Sequence, residues 1–215
     1  HKEVGNAQIE KRVHKIKRLD GHFLSSNEYK DSIGKPTIVL MHGFPDNQNL
    51  YNEVISELTT DYRVITFDFL GWGDSDKPRR FKYSIDNMES DLEAVIKYFK
   101  IKKMTLVVHD LSGIVGIDWA VKNHEKVTEL VVLNTMYLPS RNIKSPPLVN
   151  LLATNSAVRS SEIRKMKEDN SYWKSLHKGQ LDHFLKHTPD KDKYYKIFLE
   201  DSYMIVDAFV DISKE

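Results

Sequence analysis

Short apolar runs that end in turn-forming loops, and that alternate with stretches of helical periodicity, most strongly constrain how this chain folds. Such runs occupy residues 37–41, 63–69, 105–108 and 129–134, and residues 112–124 that follow the third run have the character of a helix. Strands that alternate with helices form a parallel sheet covered on both faces. The pattern therefore predicts an α/β fold with a mostly parallel sheet flanked by helices.

The chain is predicted to divide at about residue 138. Residues 1–138 carry the alternating pattern, with one or two edge strands expected in residues 10–33 and apolar residues at helical spacing in residues 47–60 and 84–99. Residues 139–215 hold no apolar run followed by a turn and are rich in Lys, Tyr and His. We expect the first part to form an α/β core and the second to form a helical segment lying over it.

Composition narrows the classes of function. The formal net charge of +1 gives no electrostatic case for binding nucleic acid or an anionic membrane. The chain has no cysteine, which excludes disulfides, thiolate metal sites and cysteine nucleophiles. No apolar run approaches the roughly 20 residues of a membrane span, and no signal-peptide pattern is visible. We expect a cytoplasmic protein that acts on a small molecule, with no metal or cofactor.

The third apolar run ends on a carboxylate, Asp110, which a sharp turn into the following helix would lift above the sheet. Ligands of open α/β sheets bind beyond the carboxyl ends of the strands. Asp110 could simply cap the helix, an interaction worth about 1 kcal/mol. It could equally be a nucleophile that attacks an sp³ carbon bearing a leaving group and forms an ester. In that case the backbone N–H groups of Phe44 and Leu111 are placed to receive the oxyanion of ester hydrolysis.

Four linked motifs follow one another along residues 37–138. They are His42-Gly43-Phe44-Pro45, Asp68-x-x-Gly71-x-Gly73-Asp74-Ser75, Val107-Val108-His109-Asp110 and Asp118-Trp119-Ala120. In order and spacing they resemble the α/β-hydrolase superfamily, and more narrowly its epoxide hydrolase and haloalkane dehalogenase branch. The resemblance implies that Asp110 is the nucleophile at a nucleophile elbow. It also implies that Phe44 and Leu111 supply the oxyanion hole and that residues 139–215 form a helical cap.

Residues beside these motifs favour an epoxide over a halide as substrate. Haloalkane dehalogenases bind the departing halide with a Trp directly after the nucleophile, and many add an Asn after the His-Gly pair. This chain has Leu111 and Phe44 there, and its Phe44-Pro45-Asp46 ending is closer to epoxide hydrolases. Epoxide hydrolases donate hydrogen bonds to the epoxide oxygen from two cap tyrosines. The candidates here are Tyr172, Tyr194, Tyr195 and Tyr203.

The general base of the second step has no predicted position. In this family a His follows the last strand, and its carboxylate partner follows the strand after or, in some members, before the cap. The latter position is about Asn134, which is not a carboxylate, and no base His was found. His177, His183 and His187 are expected on the surface rather than as a relocated base. The predicted function is therefore an epoxide hydrolase-like reaction through an Asp ester. The alternatives are a haloalkane dehalogenase-like hydrolase and a catalytically incomplete small-molecule-binding or interaction protein.

The last apolar run, residues 129–134, is expected to form an edge of the sheet. It contains Leu130-Val131-Val132-Leu133, and long apolar edges pair with other chains. We therefore expect a partner chain or a further C-terminal segment to cover this edge.

Overall fold

The computed structural model describes residues 9–30, 34–135, 137, 156–189 and 191–198. Within these residues, six strands form one sheet. The strands are β1 (Glu10–Lys17), β2 (Phe23–Lys30), β3 (Thr37–Met41), β4 (Arg63–Phe67), β5 (Met104–His109) and β6 (Val127–Leu133). Their spatial order is β1-β2-β4-β3-β5-β6.

The sheet is mixed but mostly parallel. β4, β3, β5 and β6 run parallel, and β1 and β2 continue the sheet antiparallel beyond β4. β3 lies at the centre, where Thr37 pairs with Arg63 on one side and Met104 on the other. The predicted fold is confirmed, and residues 10–33 form two strands, of which β1 lies at the edge of the sheet and β2 lies between β1 and β4. Because β4, β3 and β5 are neighbours, the loops that follow them meet at one edge of the sheet.

The described helices flank the sheet or follow it in the chain. They are α1 (Ile55–Leu58), α2 (Ile85–Tyr98), α3 (Ser112–Lys122), α4 (Ser156–Glu168), α5 (Asn170–Phe184) and α6 (Lys191–Phe198). α2 begins behind Ser84, whose side chain accepts a hydrogen bond from the backbone N–H of Asn87. The described helices do not include one long and apolar enough to cross a membrane.

The helix predicted over residues 47–60 is much shorter than expected. Gln48–Tyr51 forms a 3₁₀ turn, and only Ile55–Leu58 is α-helical. The backbone N–H and the side chain of Gln48 both bond to the buried carboxylate of Asp68. These tertiary bonds fix the start of the segment on the loop after β4 and override its helical periodicity.

Both faces of the central strands are buried, as expected for a parallel sheet. Val39 and Met41 of β3 join the larger apolar cluster, which includes residues of α2 and α3. Ile38 and Leu40 point to the opposite face and join a smaller cluster. The alternation anchors β3 between two apolar layers and so fixes where its carboxyl end lies.

β6 is the last strand of the sheet among the described residues, which confirms the predicted edge. Leu130, Val131, Val132 and Leu133 are 38%, 38%, 50% and 40% exposed. An apolar strand edge of this kind can template pairing with another strand. A segment or partner that covers this edge stays a prediction.

The helices that follow β6 return to the apolar core. Met166 of α4 and Trp173 of α5 are buried in the larger cluster. Helices were predicted throughout residues 139–215, and three of them are described within residues 156–198. The predicted boundary at residue 138 lies outside the described residues.

The close packing of α3 on β5 depends on Gly116. A Cβ at this position would overlap the Val108 side chain and lie 3.3 Å from the sulfur of Met41. We expect Gly116→Ala to lower the free energy of unfolding by about 1–3 kcal/mol because the helix must move off the strand. Gly179→Ala, on an exposed face of α5 with no atom within 4 Å of the new Cβ, should raise it by up to about 1 kcal/mol. Urea unfolding of both variants tests this, and a loss of stability in both would contradict it.

Candidate active site

Asp110 occupies a sharp turn between β5 and α3. Its φ of 49° lies in the left-handed region, which is costly for a residue with a Cβ. The turn is held by hydrogen bonds to the Asp110 carbonyl oxygen, from the Gly113 N–H at 3.1 Å and from Thr135 Oγ1 at 2.5 Å. A Cβ on Gly113 would overlap Thr135, so this close approach requires glycine. The surroundings therefore hold Asp110 in a strained conformation.

The Asp110 carboxylate is bound by backbone N–H groups from two loops. The Phe44 N–H, from the loop after β3, donates to Asp110 Oδ1 at 2.8 Å. The Leu111 N–H donates to the same carboxylate. A Cβ on Gly43 would lie 2.7 Å from Oδ1, so glycine is needed for the two loops to approach. The two N–H groups named from the sequence thus converge on Asp110.

Asp110 is not a side-chain cap of α3. The N-cap position is Leu111, and it makes no side-chain cap bond. The hydroxyl of Ser112, the first residue of α3, is buried and bonds to backbone groups of His109. The cap role that the sequence left open for Asp110 is therefore excluded.

The pKa of Asp110 is raised by burial and by the nearby charge of Asp46. Burial raises the pKa of the Asp110 carboxyl above its usual range, and the negative charge of Asp46 acts in the same direction. The N–H groups of Phe44 and Leu111 oppose this by stabilising the ionised form. The balance leaves the pKa of Asp110 raised.

His109, next to Asp110, lies close to the carboxylate of Asp46 from the loop after β3. Its Nδ1 lies 3.4 Å from Asp46 Oδ2. Burial lowers the pKa of His109, but the hydrogen bond and charge of Asp46, together with the charge of Asp110, outweigh burial and raise it. Sequence patterns did not reveal this pair, because its two members belong to different loops.

The ring of His42 connects the loop after β3 to the loop after β4 by hydrogen bonds. Its ring is buried, and Nε2 accepts a hydrogen bond from the Phe69 N–H at 3.2 Å. Nδ1 lies 2.8 Å from the Gly43 carbonyl oxygen and therefore carries the proton. Burial also lowers the pKa of His42. The neutral ring joins the loops after β3 and β4, and both of its nitrogens are engaged.

The third loop is held by the buried carboxylate of Asp68. It accepts hydrogen bonds from the N–H and side-chain amide of Gln48, at 2.7 and 2.8 Å, and from the Asp74 N–H at 3.0 Å. Gly73, with φ of 47°, lies so close to Asp68 that any Cβ would overlap the carboxylate. The role of Gln48 was missed, since a single polar residue in a helical pattern carries no signal of its distant partner.

The hydroxyl groups of the described candidate tyrosines are hydrogen-bonded to carboxylates. Tyr172 donates to Glu162 Oε2 at 2.5 Å. Tyr195 bonds to Asp182, and Tyr194 bonds to Glu53. Tyr203 lies outside the described residues. Their predicted contact with a substrate stays a prediction.

The expected surface position is wrong for His177. Its ring is fully buried on α5 and stacks on Trp173 with ring centroids 4.9 Å apart. Trp173, His177 and Leu181 follow one another at intervals of four residues and form the buried face of the helix. This spacing was the missed signal, because it puts His177 on the apolar stripe. His183 and His187 are exposed, as expected.

The family of the chain follows from comparison with known proteins. The alpha/beta hydrolase fold family matches residues 36–169, which is more than half of the chain. The chain therefore belongs to the alpha/beta hydrolase fold family. This confirms the resemblance drawn from the sequence motifs and makes the chain a hydrolase-family protein.

Three curated proteins are similar to part of this chain. The cis-3-alkyl-4-alkyloxetan-2-one decarboxylase of Shewanella oneidensis is 33% identical over 151 residues, 66% of this chain and 47% of the relative. Epoxide hydrolase 3 of Xenopus tropicalis is 31% identical over 53% of this chain and 30% of its own length. The haloalkane dehalogenase of Mycolicibacterium paratuberculosis is 34% identical over 54% of this chain and 38% of its own. The matched part of the chain thus spans less than half the length of each of these relatives.

The Asp46–His109 pair gives a measurable prediction. The negative charge of Asp46 favours the protonated form of its neighbours, so Asp46→Asn should lower the pKa of His109. NMR titration of the His109 ring in both proteins measures the shift. Asp61→Asn, which removes a charge from an exposed turn, should leave the His109 pKa unchanged. An unchanged pKa in Asp46→Asn would show that the pair does not form.

Proposed function

We propose that this chain carries the nucleophile of a hydrolase that opens a strained oxygen ring, an epoxide first of all, by forming an ester on Asp110. The observation that supports this most directly is the positive φ of Asp110 together with the two backbone N–H groups on its carboxylate. Such a turn is the nucleophile elbow of this fold, with aspartate in the central position. Helices α4 and α5 would then form part of a cap over the site.

The ester-forming step follows from this arrangement. A carboxylate oxygen of Asp110 attacks a ring carbon, the ring C–O bond breaks, and its electron pair passes to the ring oxygen, which takes up a proton. Oδ1, already bonded to the Phe44 N–H, becomes the carbonyl oxygen of the ester. When water later attacks the ester, the N–H groups of Phe44 and Leu111 are in place to stabilise the oxyanion.

Two side chains argue for a ring oxygen over a halide. Leu111 and Phe44 stand where haloalkane dehalogenases place halide-binding Trp and Asn, and neither side chain has a polar hydrogen. A four-membered oxygen ring is a second candidate, because the Shewanella relative is named for an oxetan-2-one and matches more of this chain than the epoxide hydrolase does. A carboxylate can attack the strained ring of either compound.

Hydrolysis of the ester needs a general base, and this proposal assigns none. Among the described histidines of the three loops, His42 has both nitrogens engaged and His109 pairs with Asp46. We therefore expect the ester to persist on the 215-residue chain.

The proposed function is tested by intact-mass measurement after incubation with 1,2-epoxyhexane. We expect one stable adduct of the mass of the probe, located on Asp110 by peptide mapping. Asp110→Asn should form no adduct, because an amide is a poor nucleophile. Asp118→Asn, which removes a partly exposed carboxylate of α3 that pairs with Lys122, should react like the unchanged protein.

Other results would favour one of the alternative functions or contradict the expected persistence of the ester. An adduct with 1-iodohexane but not with the epoxide would favour the dehalogenase alternative. The absence of an adduct with any probe would favour a protein that only binds small molecules. Repeated turnover would show that the chain does supply a base.

The pH dependence of ester formation is a further prediction. Only the ionised carboxylate attacks, so the rate should fall as the pH is lowered through the pKa of Asp110. Because that pKa is raised, the midpoint should lie above the value of about 3.9 for an ordinary Asp. Asp46→Asn should move the midpoint to lower pH, since it removes a negative charge. Adduct yield at fixed time, with circular dichroism to confirm folding at each pH, measures this, and a midpoint below 3.9 would contradict it.

A further inference from the structure

Arg18 and Asp91 form a buried ion pair between the end of β1 and α2. Asp91 is 1% exposed and Arg18 is 8% exposed, and Arg18 Nη1 contacts Asp91 Oδ1. The neighbours of Asp91 on the buried face of α2 are apolar, namely Met88, Leu92 and Val95. Taking two charges out of water is costly, and an apolar pair of the same volume is often equally stable. The charge of Asp91 therefore needs an explanation other than added stability.

Arg18 has further partners besides Asp91. Its guanidinium donates to the carbonyl oxygen of Asn87 at 3.1 Å and to the side chain of Asn87 at 3.2 Å. Its Nε donates to the carboxylate of Asp20 at 3.2 Å. Arg18 would therefore stay paired and fixed if Asp91 were removed.

The second oxygen of Asp91 binds the loop after β4. Asp91 Oδ2 accepts a hydrogen bond from the Leu70 N–H at 2.9 Å, and this contact is buried. The preceding residue, Phe69, donates its N–H to His42 Nε2 at 3.2 Å. Two successive N–H groups of this loop are thus held by side chains from α2 and from the loop after β3. A hydrogen bond to a carboxylate is about twice as strong as one between neutral groups, so Asp91 holds the loop more firmly than an uncharged acceptor would.

The hydrogen bonds continue from His42 to Asp110. His42 Nδ1 donates to the carbonyl oxygen of Gly43 at 2.8 Å, and the N–H of Phe44 donates to Asp110 Oδ1 at 2.8 Å. That carbonyl and that N–H belong to the same peptide unit, which is a rigid plane. The bond that His42 makes on one side of the plane therefore orients the Phe44 N–H on the other. A shift of the loop after β4 would reach this plane through the His42 ring.

We propose that Asp91, held by Arg18, is a positioning residue that directs the Phe44 N–H at the carboxylate of Asp110. It acts through the loop after β4 and the ring of His42, and it does not touch the substrate. The consequence for ester formation rests on the proposed function of Asp110. The consequence for the Phe44 N–H does not, so the two can be tested separately.

The first test is amide hydrogen exchange, measured by NMR. Asp91→Ala removes the acceptor of the Leu70 N–H. We expect the amides of Leu70 and Phe44 to exchange about tenfold faster, which corresponds to the loss of one hydrogen bond to a charged group. The amide of Val39, in the central strand β3, should keep its rate. Asp91→Asn, which retains an oxygen acceptor, should restore most of the protection at Phe44.

Glu28→Ala is the matched control. Glu28 is also a buried carboxylate paired with an arginine, since Arg63 Nε lies 2.6 Å from its Oε1, but it belongs to β2 within the sheet. This variant should lose stability without a faster exchange of Phe44 relative to Val39. The comparison separates positioning of the loop from a general loss of stability.

The second test is the pH dependence of ester formation with 1,2-epoxyhexane. The Phe44 N–H stabilises the ionised form of Asp110, so its displacement should raise the pKa of this carboxyl further. We therefore expect Asp91→Ala to move the midpoint to higher pH, while Asp46 and His109 stay in place beside Asp110. Loss of the negative charge of Asp91 alone would move the midpoint to lower pH. The direction of the shift thus separates positioning from a simple effect of charge.

A third measurement needs no variant and so does not depend on the folding of one. In the unchanged protein at low urea concentrations, the amides of Leu70, Phe69 and Phe44 should exchange with the same dependence on urea, because one local opening exposes all three.

Three results would overturn the positioning role and leave the proposed function standing. They are different urea dependences for Leu70 and Phe44, faster exchange at Leu70 alone in Asp91→Ala, and a midpoint that does not rise in that variant. The absence of an ester on the unchanged protein would instead overturn the proposed function. The exchange measurements would still decide whether Asp91 positions the Phe44 N–H.

Discussion

The hydrogen bond from the Phe44 N–H to Asp110 is the interaction on which the site depends. It joins the loops after β3 and β5, and it forms only because Gly43 has no side chain between them. His42 fixes the first of these loops by bonding to the Gly43 carbonyl oxygen and to the Phe69 N–H. The parallel pairing of β3 with β5 brings the two loops to the same edge, and the backbone bonds set their final positions.

Buried polar groups hold the three loops together, in addition to the apolar packing of Phe44, Phe69 and Trp72. A buried carboxylate such as that of Asp68 is costly unless its lone pairs are used, and here Gln48 and Asp74 supply three donors. A network of this kind is stable only when it is complete, and a complete network has one geometry. The cost of burying charge is thus offset in a way that also makes the edge of the sheet rigid.

The sequence predicted the parts of this structure that local pattern determines. Apolar runs located the strands, and the rule that parallel strands end at one edge correctly predicted that Phe44 lies beside Asp110. The prediction of a helix over residues 47–60 was wrong because Gln48 bonds to Asp68, a partner that no local pattern shows. His177 was misplaced because a polar residue type was given more weight than its spacing from Trp173.

Backbone N–H groups contribute most to stabilising the ionised form of Asp110, because the other influences on this carboxylate oppose one another. Asp46 raises the pKa of both Asp110 and His109. A protonated His109 then favours the Asp110 anion, so the two neighbours act on Asp110 in opposite directions. Burial also disfavours the anion, which leaves the N–H groups of Phe44 and Leu111 as the main source of its stability. The proposed nucleophile and the proposed oxyanion hole therefore use the same two donors, first for the carboxylate and then for the ester oxygen it becomes.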